Sequence, residues 1–456
     1  MPKTPAIAIF DIGKTNKKIF LFDKSYNIIH EDSFRLPETK DEDGFPCEDL
    51  RALETWIKKS FEQVSSLDEI EIEAVNFSGY GASFVHLDWD NNPVTPLYNY
   101  LKPFPESIQQ DFYRKYGGAK IFAQKTASPI LGSLNSGLQL LRLRMEKPEQ
   151  FNRIRHSLHL PQWLSYLFTG QFVSDITSIG CHTAMWNFSE NRYHEWLEDE
   201  GIFRVLAPIN HAEKTFIADI NQKKIIAGIG LHDSSAALIP YLMQFREPFV
   251  LISTGTWNIS LNPFNQTELT QEELSNDCLC YLDFKGKQVK ASRLFAGQYH
   301  DQELNKLSEQ FQQSRNFFQQ MEYDPDLAKE MDLISLSKST DMGADSIKSF
   351  DPAAYRSPEE GYYHLMAKLV LLQKKSTGYV LGNSDKKTIF VDGGFSRNSI
   401  YMNLIALVFN GFKVYAATVA QASAIGAAMA IHGSWNDINF DENLIRLKYY
   451  LPGSSS

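Results

Sequence analysis

Apolar and polar residues at the start of the chain form short apolar runs separated by a polar turn. Residues 6–10 are the first apolar run, which ends on Asp11, and residues 19–22 are the second. Between them, residues 13–18 are glycine, lysine, threonine and asparagine only. Apolar runs of about four to eight residues bounded by turn residues predict buried strands. Residues 6–23 are therefore predicted to form a strand, a tight turn and a second strand.

Longer stretches carry apolar residues three and four positions apart, which is the spacing of one buried helix face. Residues 48–63 and 357–382 show this spacing and are predicted to be helices. Further short apolar runs at residues 70–77, 225–229 and 388–391 lead into glycine-containing turns and are predicted to be strands. Strands that alternate with helices indicate an α/β fold.

Other regions have a less regular pattern. Residues 111–170 are predicted to be mainly helical. Residues 271–351 are polar and have no clear register, apart from a helix predicted at residues 301–321. Near the end of the chain, residues 420–431 are predicted to be a helix whose small residues serve packing, and residues 453–456 are predicted to be a tail.

The pattern of the first hairpin recurs at residues 249–261, around Gly255. Aligning Gly255 with Gly13 gives two further matched positions, which are Ser253 with Asp11 and Asn258 with Asn16. A pattern that repeats at a distance within one chain suggests an internal duplication. Two related halves are therefore predicted, each with its own hairpin.

The length of the chain also indicates two domains. Its 456 residues exceed the roughly 250–300 residues that one hydrophobic core usually supports. The expected domains are residues 1–243 and residues 244–456, with the boundary just before the repeated hairpin. Hydrophobic residues make up 43% of the chain, which is enough for two cores and excludes a disordered protein.

Charge and hydropathy exclude several classes of protein. The formal net charge is −10 and there is no long basic run, which argues against non-specific binding of nucleic acid or of an anionic membrane. No apolar run approaches the roughly 18 residues of a membrane-spanning helix, and the first residues lack the apolar core of a signal peptide. A cytoplasmic location is expected.

The four cysteines do not match a zinc-binding pattern. Cys278 and Cys280 are separated by one residue, but no second pair of ligands follows at zinc spacing. Cys47 and Cys181 stand alone. All four are expected to be reduced thiols.

The polar turn after the first strand has the chemistry of an anion-binding loop. Gly13 lets backbone N–H groups approach an anion, and the side chains of Thr15, Asn16 and Lys18 add donors. Asp11, at the end of the strand, can face the same anion only through a cation, which suggests Mg²⁺. The alternative is an ordinary hairpin with a solvated basic turn, because short glycine motifs often match by chance.

A carboxylate also follows the apolar run at residues 225–229. Asp233 comes directly after His232 and precedes a helix predicted at residues 234–242. This position is the carboxyl edge of a sheet, where α/β proteins bind ligands and where a carboxylate can accept a proton from a reacting hydroxyl. The alternative is that Asp233 only caps the helix, which aspartate often does, and His232 has the same helix-start alternative.

Taken together, five motifs resemble those of the FGGY family of carbohydrate kinases, within the actin-like ATPase superfamily. The resemblance extends over nearly the whole chain, to about His432. The motifs, in chain order, are Asp11-x-Gly13-x-Thr15-x-x-Lys18, His232-Asp233, Ser253-Thr254-Gly255-Thr256, Asp392-Gly393-Gly394 and Ala424-Ile425-Gly426-Ala427-Ala428. The resemblance implies an α/β fold with two actin-like (ribonuclease H-like) domains and a cleft between them.

The resemblance further implies an ATP- and Mg²⁺-dependent kinase whose first domain binds the sugar and whose second domain binds the nucleotide. Asp233 would be the catalytic base, and Asp11 and Asp233 would hold Mg²⁺, Asp11 mostly through water. The implied nucleotide-binding residues are Gly13, Thr15, Asn16 and Lys18 in the first turn, Thr254, Gly255 and Thr256 in the second, and Gly393, Gly394 and Asn398 near the adenine. The two late glycines also fit a plain strand-to-helix turn.

For the sugar, the motifs are closest to the rhamnulokinase and fuculokinase branch of the family. In that branch His232 would contact a sugar hydroxyl and Gly81 would approach the sugar, while Tyr80, Tyr98 or Tyr100 would form an aromatic wall or pack in the core. The chain departs from the family pattern at Lys14, Ser83, Tyr100 and Lys102. Ser83 and Tyr100 replace two carboxylates of the family pattern, so fewer sugar hydroxyls can be bound by charged acceptors. The expected substrate is therefore a ketose or deoxyketose such as L-rhamnulose or L-fuculose.

Other functions stay open at the level of sequence. A non-catalytic sugar or nucleotide sensor on the same fold is favoured by the two replaced carboxylates and disfavoured by the presence of Asp11 and Asp233. A kinase for another pentulose, or for a polyol such as glycerol, is a third reading, and His232 argues against the polyol. The expected partners are a small-molecule sugar and, in a homodimer, a second copy of the chain, but no nucleic acid and no membrane.

Overall fold

The computed structural model of the chain describes residues 3–331, 350–382, 388–419, 421–440 and 444–451. In these ranges, two seven-stranded sheets and their connecting helices form an α/β fold. The first sheet contains, in spatial order, Thr215–Ile220, Lys223–Gly228, Ile70–Gly79, Thr4–Ile12, Lys17–Asp23 and Ile28–Phe34, with Leu231–His232 also paired to Ile70–Gly79. The second sheet contains Cys278–Leu282, Gln288–Leu294, Asn258–Asn262, Phe249–Thr254, Thr388–Gly393, Lys413–Thr418 and Arg446–Tyr450.

Helices and short strand pairs connect these sheets. The longer helices are Leu50–Ser65, Glu106–Lys115, Ala119–Thr126, Ser136–Glu146, Leu160–Thr169, Asp233–Gln244, Ala296–Phe311, Pro358–Leu381, Ser399–Val408 and Ala422–Ala430. The shorter ones are Pro148–Arg153, Ile176–Ile179, Trp196–Asp199, Gln271–Ser275, Arg315–Gln319, Pro325–Glu330 and His432–Trp435. The short strands pair as Thr39–Lys40 with Pro46–Cys47, Phe84–Leu87 with His156–His159, Ser174–Asp175 with Ile209–Asn210, and Trp186–Asn187 with Arg192–Tyr193. Among the helices so described, none is both long and apolar enough to cross a membrane.

The two sheets share one topology. In each, the first strand of a hairpin pairs in parallel with a later strand, Thr4–Ile12 with Ile70–Gly79 and Phe249–Thr254 with Thr388–Gly393. On the far side of that later strand lie a further parallel strand and then an antiparallel one, in both sheets. This common order and direction of the central strands agrees with the predicted internal duplication, whereas the edge strands differ, since Thr215–Ile220 precedes its neighbour in the chain and Arg446–Tyr450 follows its neighbour.

The two hairpin turns differ in length by one residue. Ile12 pairs with Lys17 across the first turn, whereas Thr254 pairs with Asn258 across the second. Asn258 therefore matches Lys17, and the alignment of Asn258 with Asn16 is wrong by one residue. An alignment on the turn glycines cannot show how many residues follow before the second strand begins.

The strand ends next to these turns carry one carboxylate and one hydroxyl in each sheet. Asp11 lies beside Ser78 in the parallel strand pair of the first sheet. Ser253 lies beside Asp392 in the corresponding pair of the second sheet. The carboxylate thus belongs to the hairpin strand in the first half and to the neighbouring strand in the second half.

Two regions differ from their predicted structure. The predicted helical region at residues 111–170 is mainly helical but contains the strand His156–His159. The polar region after residue 271 contains an antiparallel strand pair, Cys278–Leu282 and Gln288–Leu294, which the sequence pattern did not predict. Polar turns surround these strands, so the apolar signal of each is too short to stand out.

The helix predicted at residues 301–321 is present as Ala296–Phe311 followed by Arg315–Gln319. The helix predicted at residues 420–431 is present as Ala422–Ala430. Ala420 and the predicted tail at residues 453–456 lie outside the described residues. The domain division at residue 243 stays a prediction, and the largest hydrophobic cluster contains residues from both sheets, such as Ile9 and Leu251.

Helix Ala422–Ala430 follows strand Lys413–Thr418 of the second sheet in sequence but packs against the first half. Asn76, buried in the first sheet, donates its side-chain amide to the carbonyl of Ala427 at 2.7 Å and accepts the N–H of Gly230 at 3.1 Å. A Cβ on Gly426 would lie 1.8 Å from the carbonyl oxygen of Ala236. The small-residue helix is therefore a packing element, as predicted, and it crosses helix Asp233–Gln244 at close contact.

This close crossing predicts that even a methyl group at residue 426 is destabilising. Gly426→Ala should lower the free energy of unfolding by about 1–3 kcal/mol, because the added atom overpacks a backbone contact. Gly378→Ala is the matched control, since Gly378 lies in helix Pro358–Leu381 with open space around its Cβ position. That control should gain about 0.5–1 kcal/mol. Urea unfolding measures both, and equal stability of the two variants would contradict the crossing.

Candidate active site

Asp233 lies where the two halves of the molecule meet. It is the first residue of helix Asp233–Gln244, and its side chain is 33% exposed. A cleft of about 190 Å³ beside it is lined by residues of both halves, among them Ser253 and Ser423. The carboxylate predicted to be the base is thus open to the space between the two sheets.

Asp11 is held close to this carboxylate. Its side chain accepts a hydrogen bond of 2.9 Å from the hydroxyl of Ser423. Burial raises the pKa of Asp11 to about 6; the charge of Asp233 adds to the rise, while Ser423 opposes it. Burial also raises the pKa of Asp233 to about 6, against a hydrogen bond from the backbone N–H of Ser234. Both carboxylates are therefore less acidic than an exposed aspartate.

This pair of carboxylates fits Mg²⁺ better than a transition metal. No group of three or more histidine, cysteine, aspartate or glutamate side chains that could hold a metal occurs in the described ranges. Mg²⁺ commonly takes one or two carboxylates, keeps several waters and shares phosphate oxygens of the substrate. Asp11 and Asp233 supply such a donor set, and a divalent cation would favour the ionised form of both.

A buried ion pair lies beneath the first turn. The ammonium of Lys17 donates to a carboxylate oxygen of Glu48 at 2.7 Å, and both residues are buried. It also donates to the carbonyls of Gly13 at 3.1 Å and Lys14 at 2.9 Å. Because these carbonyls are tied inward, the shape of the turn is fixed from below. The sequence pattern did not single out Lys17, since a lysine in a polar turn is usually solvated.

The other residues of the first turn face outward. Thr15 and Asn16 are exposed, and the side-chain oxygen of Asn16 accepts from Nε of Arg35 at 2.9 Å. The ammonium of Lys18 lies 3.2 Å from Glu31 and 3.4 Å from the side-chain oxygen of Gln421. Lys18 therefore reaches from the first half toward the second.

Next to Asp233, the structure brings His232 and Gly81 together. A Cβ on Gly81 would lie 3.1 Å from the imidazole of His232 and 3.2 Å from the sulfur of Cys181. Nε2 of His232 is 3.2 Å from that sulfur and 3.2 Å from Asp233 Oδ1. Burial lowers the pKa of His232 to about 4, so the ring is neutral at physiological pH. Cys181 is a site residue that sequence reasoning missed, because an isolated cysteine carries no pattern.

Two of the predicted aromatic residues form a pair next to this site. The rings of Tyr80 and Tyr100 pack edge to face with centroids 5.9 Å apart. Tyr80 is buried, whereas Tyr100 is half-buried. Burial raises the pKa of Tyr100, and the charge of Asp233 adds to the rise. The hydroxyl of Tyr100 therefore lies near Asp233.

Tyr98 and Lys102 lie in a different environment. The hydroxyl of Tyr98 donates to Glu42. The ammonium of Lys102 binds Asp41 at 2.5 Å and Asp43 at 2.6 Å. Lys102 is therefore neutralised by the acidic loop before the first helix and is not free to hold a sugar. Tyr98 contacts the same loop through Glu42.

The second turn borders a larger cleft on the side of the second sheet. This cleft, of about 550 Å³, is lined by Gly255, Thr256, Gly297, Gln298, His300, Asp301, Gln319, Tyr362, Gly394, Phe395, Arg397 and Asn398. Gly255, Thr256, Gly394 and Asn398 are predicted nucleotide-binding residues, so the structure brings four of them together. Gly297 and His300 were missed because the polar region at residues 271–351 gave no register, and Tyr362 was missed because the pattern of its predicted helix did not show which residues face a cleft.

Thr254 and Gly393 hold the wall of this cleft in place. The hydroxyl of Thr254 donates to the carbonyl of Asp392 at 2.5 Å and accepts the N–H of Phe395 at 3.0 Å. Gly393 has a φ of 86°, and a Cβ there would lie 2.0 Å from the carbonyl oxygen of Thr254. Thr254 and Gly393 therefore fix the shape of the cleft wall through contacts with neighbouring backbone.

Asn398 combines a structural contact with a place on the cleft wall. Its side-chain oxygen accepts the N–H of Tyr401 at 2.9 Å and so caps helix Ser399–Val408. Its side-chain amide donates to the hydroxyl of Tyr362 at 2.9 Å. Asn398 and Tyr362 thus form one edge of the cleft.

Comparison with protein families identifies both halves. Residues 6–235 match the FGGY family of carbohydrate kinases, N-terminal domain. Residues 246–438 match the carbohydrate kinase FGGY, C-terminal domain.

Curated relatives are distant. A rhamnulokinase of Pectobacterium atrosepticum is 24% identical over 238 residues, which are 50% of this chain and 47% of that protein. A rhamnulokinase of Klebsiella pneumoniae is 23% identical over 245 residues, 52% of this chain and 49% of that protein. The chain thus matches about half the length of these relatives.

Solved structures share the fold over nearly the whole chain. A carbohydrate kinase from Novosphingobium aromaticivorans superposes with a TM-score of 0.77 at 20% identity, covering 98% of this chain and 97% of that chain. A gluconate kinase from Lactobacillus acidophilus superposes with a TM-score of 0.79 at 18% identity, covering 99% and 94%. The predicted two-domain actin-like fold is therefore confirmed.

The buried pair beneath the first turn gives a stability prediction. Lys17→Met should lower the free energy of unfolding by roughly 3–5 kcal/mol, because Glu48 stays buried without its closest cation. The double variant Lys17→Met/Glu48→Gln should recover much of this loss. Lys58→Met, which removes a surface pair with Glu54, is the control and should change little. In urea unfolding, a double variant no more stable than Lys17→Met would refute a buried pair.

Proposed function

The chain belongs to the FGGY family of carbohydrate kinases, and from that premise we propose that it transfers the terminal phosphoryl group of ATP to a hydroxyl of a ketose or deoxyketose such as L-rhamnulose or L-fuculose. The observation that carries this proposal is the position of Asp233. It lines the cleft between the halves, its charge acts on Asp11, and its Oδ1 lies 3.2 Å from Nε2 of His232. Asp11 would serve the phosphate with its metal, and His232 would serve the sugar.

In the proposed reaction Asp233 accepts the proton of the attacking sugar hydroxyl. A carboxylate with a raised pKa is a stronger base than an ordinary aspartate and still ionised at neutral pH. The first turn and the residues Gly255 and Thr256 hold phosphate oxygens with backbone and side-chain donors. Asp11 and Asp233 would hold Mg²⁺, which neutralises charge on the phosphates when bound. Closure of the two halves around the substrates would exclude water and limit ATP hydrolysis.

The proposed preference for a deoxy sugar rests on the wall next to His232. The rings of Tyr80 and Tyr100 would form this wall, and neither Ser83 nor Tyr100 supplies the carboxylate of the family pattern. The ring faces can contact a terminal methyl group, and the neutral hydroxyls are weaker hydrogen-bond acceptors than a carboxylate. A 6-deoxy ketose should therefore fit better than its hydroxylated counterpart.

The base assignment predicts a large loss of turnover in Asp233→Asn. The amide cannot accept the proton, so turnover should fall by roughly 10²–10⁴-fold, the scale of general base catalysis. Folding and ATP binding should stay close to those of the unmodified chain. A coupled assay of ADP release, together with calorimetric binding of ATP, measures both quantities. Unchanged turnover in this variant would remove Asp233 from the role of base.

The wall gives a prediction about specificity. The unmodified chain should have a higher kcat/KM for L-rhamnulose and L-fuculose than for the 6-hydroxy counterparts. Tyr100→Asp should shift the ratio toward the hydroxylated sugars by roughly 10–200-fold, the range that one methyl-sized change commands. Tyr100→Phe keeps the wall and is the matched control, so it should leave the ratio unchanged.

ADP release across a ketose and polyol panel also separates the alternative functions. A preference for hydroxylated ketoses in the unmodified chain would overturn the deoxy-sugar proposal but not the kinase. Turnover of glycerol alone would indicate a polyol kinase. Absence of ADP release with every sugar, with sugar binding intact, would indicate a sensor.

A further inference from the structure

A further cleft lies on the second half, beside the nucleotide cleft. It has a volume of about 340 Å³, and its lining includes Trp257, Asn276, Asp277, Arg293 and Lys375. Gly255, Thr256 and Trp257 form the turn of the second hairpin, and the first two of them line the nucleotide cleft. The two clefts share none of their described lining residues. The turn therefore separates them.

Arg293 is held in this cleft in a fixed orientation. Its side chain is 10% exposed, and Nη2 donates to Oδ1 of Asp277 at 2.6 Å. The guanidinium also lies 5.2 Å from the ring centroid of Trp257. Nε of Arg293 is buried and donates to no atom of the described residues. Because an arginine has five N–H donors, the guanidinium keeps donors for a ligand.

The indole of Trp257 offers a flat apolar surface beside these donors. Trp257 is 42% exposed, and its ring centroid lies 4.4 Å from that of Phe295. Phe295 and Arg293 thus hold the ring in place while much of it stays open. Such a rigid surface matches the apolar C–H face of a closed sugar ring.

The polar groups of the lining favour a ligand without net charge. Arg293 and Lys375 only donate hydrogen bonds, whereas the half-buried carboxylate of Asp277 only accepts them. An anion would meet the charge of Asp277, and a cation would meet the charge of Arg293. A hydroxyl can accept from the guanidinium and donate to the carboxylate, and the amide of Asn276 can pair with it in either sense. A neutral ring with several hydroxyls therefore satisfies the whole lining.

The cleft lies close to the first half on the side of His232. Burial raises the pKa of the Cys181 thiol, and the charge of Arg293 opposes this rise. Strand Cys278–Leu282 begins beside the cleft and carries Tyr281, whose ring centroid lies 5.7 Å from that of His232. A ligand in the cleft would therefore lie near the proposed substrate, but on the other half of the molecule.

We propose that this cleft is a second carbohydrate site, which binds a neutral sugar in its closed ring form. The ring face lies on Trp257, and neighbouring hydroxyls bind the guanidinium of Arg293 and the carboxylate of Asp277. The site goes beyond the proposed kinase function and does not depend on it. At about 340 Å³, the cleft is within the range of small-molecule sites.

The first experiment locates the sugar. Methyl pyranosides of D-glucose, D-galactose, D-xylose and L-rhamnose are titrated into the full chain with ¹⁵N-labelled tryptophan, because a methyl glycoside keeps its ring closed. At least one should shift the indole N–H signal of Trp257, which Trp257→Phe assigns. Trp89 is the internal control, since it is 71% exposed and has the guanidinium of Arg155 5.1 Å from its ring centroid. No shift at Trp257 with any sugar, or equal shifts at Trp89, would overturn the proposal.

The second experiment tests the contacts by calorimetry with the sugar that binds. Trp257→Ala and Arg293→Lys should each weaken binding by roughly tenfold or more, because the first removes the ring surface and the second removes the planar fork of donors. Trp89→Ala is the matched control and should bind the sugar like the unmodified chain. Arg293→Lys keeps a cation beside Asp277, so it decides the case if Trp257→Ala does not fold. Unchanged affinity in Arg293→Lys would contradict the proposal.

A charged analogue tests the preference for a neutral ligand. Methyl glucuronide has the ring of methyl glucoside with an added carboxylate, which would meet the charge of Asp277. It should bind more weakly than the glucoside. Tighter binding of the glucuronide would show an anion site and overturn the assignment to neutral sugars.

The last experiment separates this cleft from the proposed substrate site. His232→Gln alters the substrate site, and it should leave the affinity for the methyl glycoside unchanged. Loss of that binding in His232→Gln would place the sugar in the substrate site and overturn a second site. If the unmodified chain phosphorylates no sugar, the kinase function fails, and the measurements at Trp257 alone decide whether the cleft binds carbohydrate.

Discussion

The close contact between two helices is the constraint on which the candidate site depends. Helix Asp233–Gln244 begins with the proposed base, and helix Ala422–Ala430 carries Ser423 in its first turn, where it holds Asp11. The helices can touch only because residue 426 has no side chain. Asp233 begins one of these helices, and Asp11, on strand Thr4–Ile12, accepts a hydrogen bond from Ser423 of the other. The helix crossing thus helps to hold the two carboxylates near each other.

Charge is balanced differently at the edge of the site and at its centre. Lys17 with Glu48, and Lys102 with Asp41, are buried partners that neutralise one another. Asp11 and Asp233 form no ion pair with a lysine or arginine in the described part of the chain, and burial raises the pKa of both. The peripheral pairs therefore shape the loops, whereas the two central carboxylates form no such pair in the described residues.

Much of the fold was visible in the sequence, and the parts that were not have a common cause. The hairpins, the helix at residues 48–63 and the duplication follow from local runs of apolar residues, which local patterns report well. Lys17 and Cys181 were missed because their roles depend on Glu48 and His232, which are distant in sequence and adjacent only after folding. The motifs named Asp11, Asp233 and Gly81 as site residues, and the structure places His232 beside both Asp233 and Gly81. They could not show that Lys102 is occupied by the acidic loop, because that contact joins two segments with no shared pattern.

The carboxylate lies on the hairpin strand in the first half, as Asp11 beside Ser78, and on the neighbouring strand in the second half, as Asp392 beside Ser253. This difference bears on how such a molecule arises from two equal copies. A symmetric ancestor with identical halves would have presented the same group to both sides of the cleft. Moving the carboxylate by one strand, about 4.8 Å, breaks this symmetry while each half keeps one acid and one alcohol. The two sides of the cleft thereby differ, with an acid on the first hairpin and an alcohol at the matching position of the second. Polarity of the reaction, from donor to acceptor, can thus originate in a lateral shift of one carboxylate between neighbouring strands.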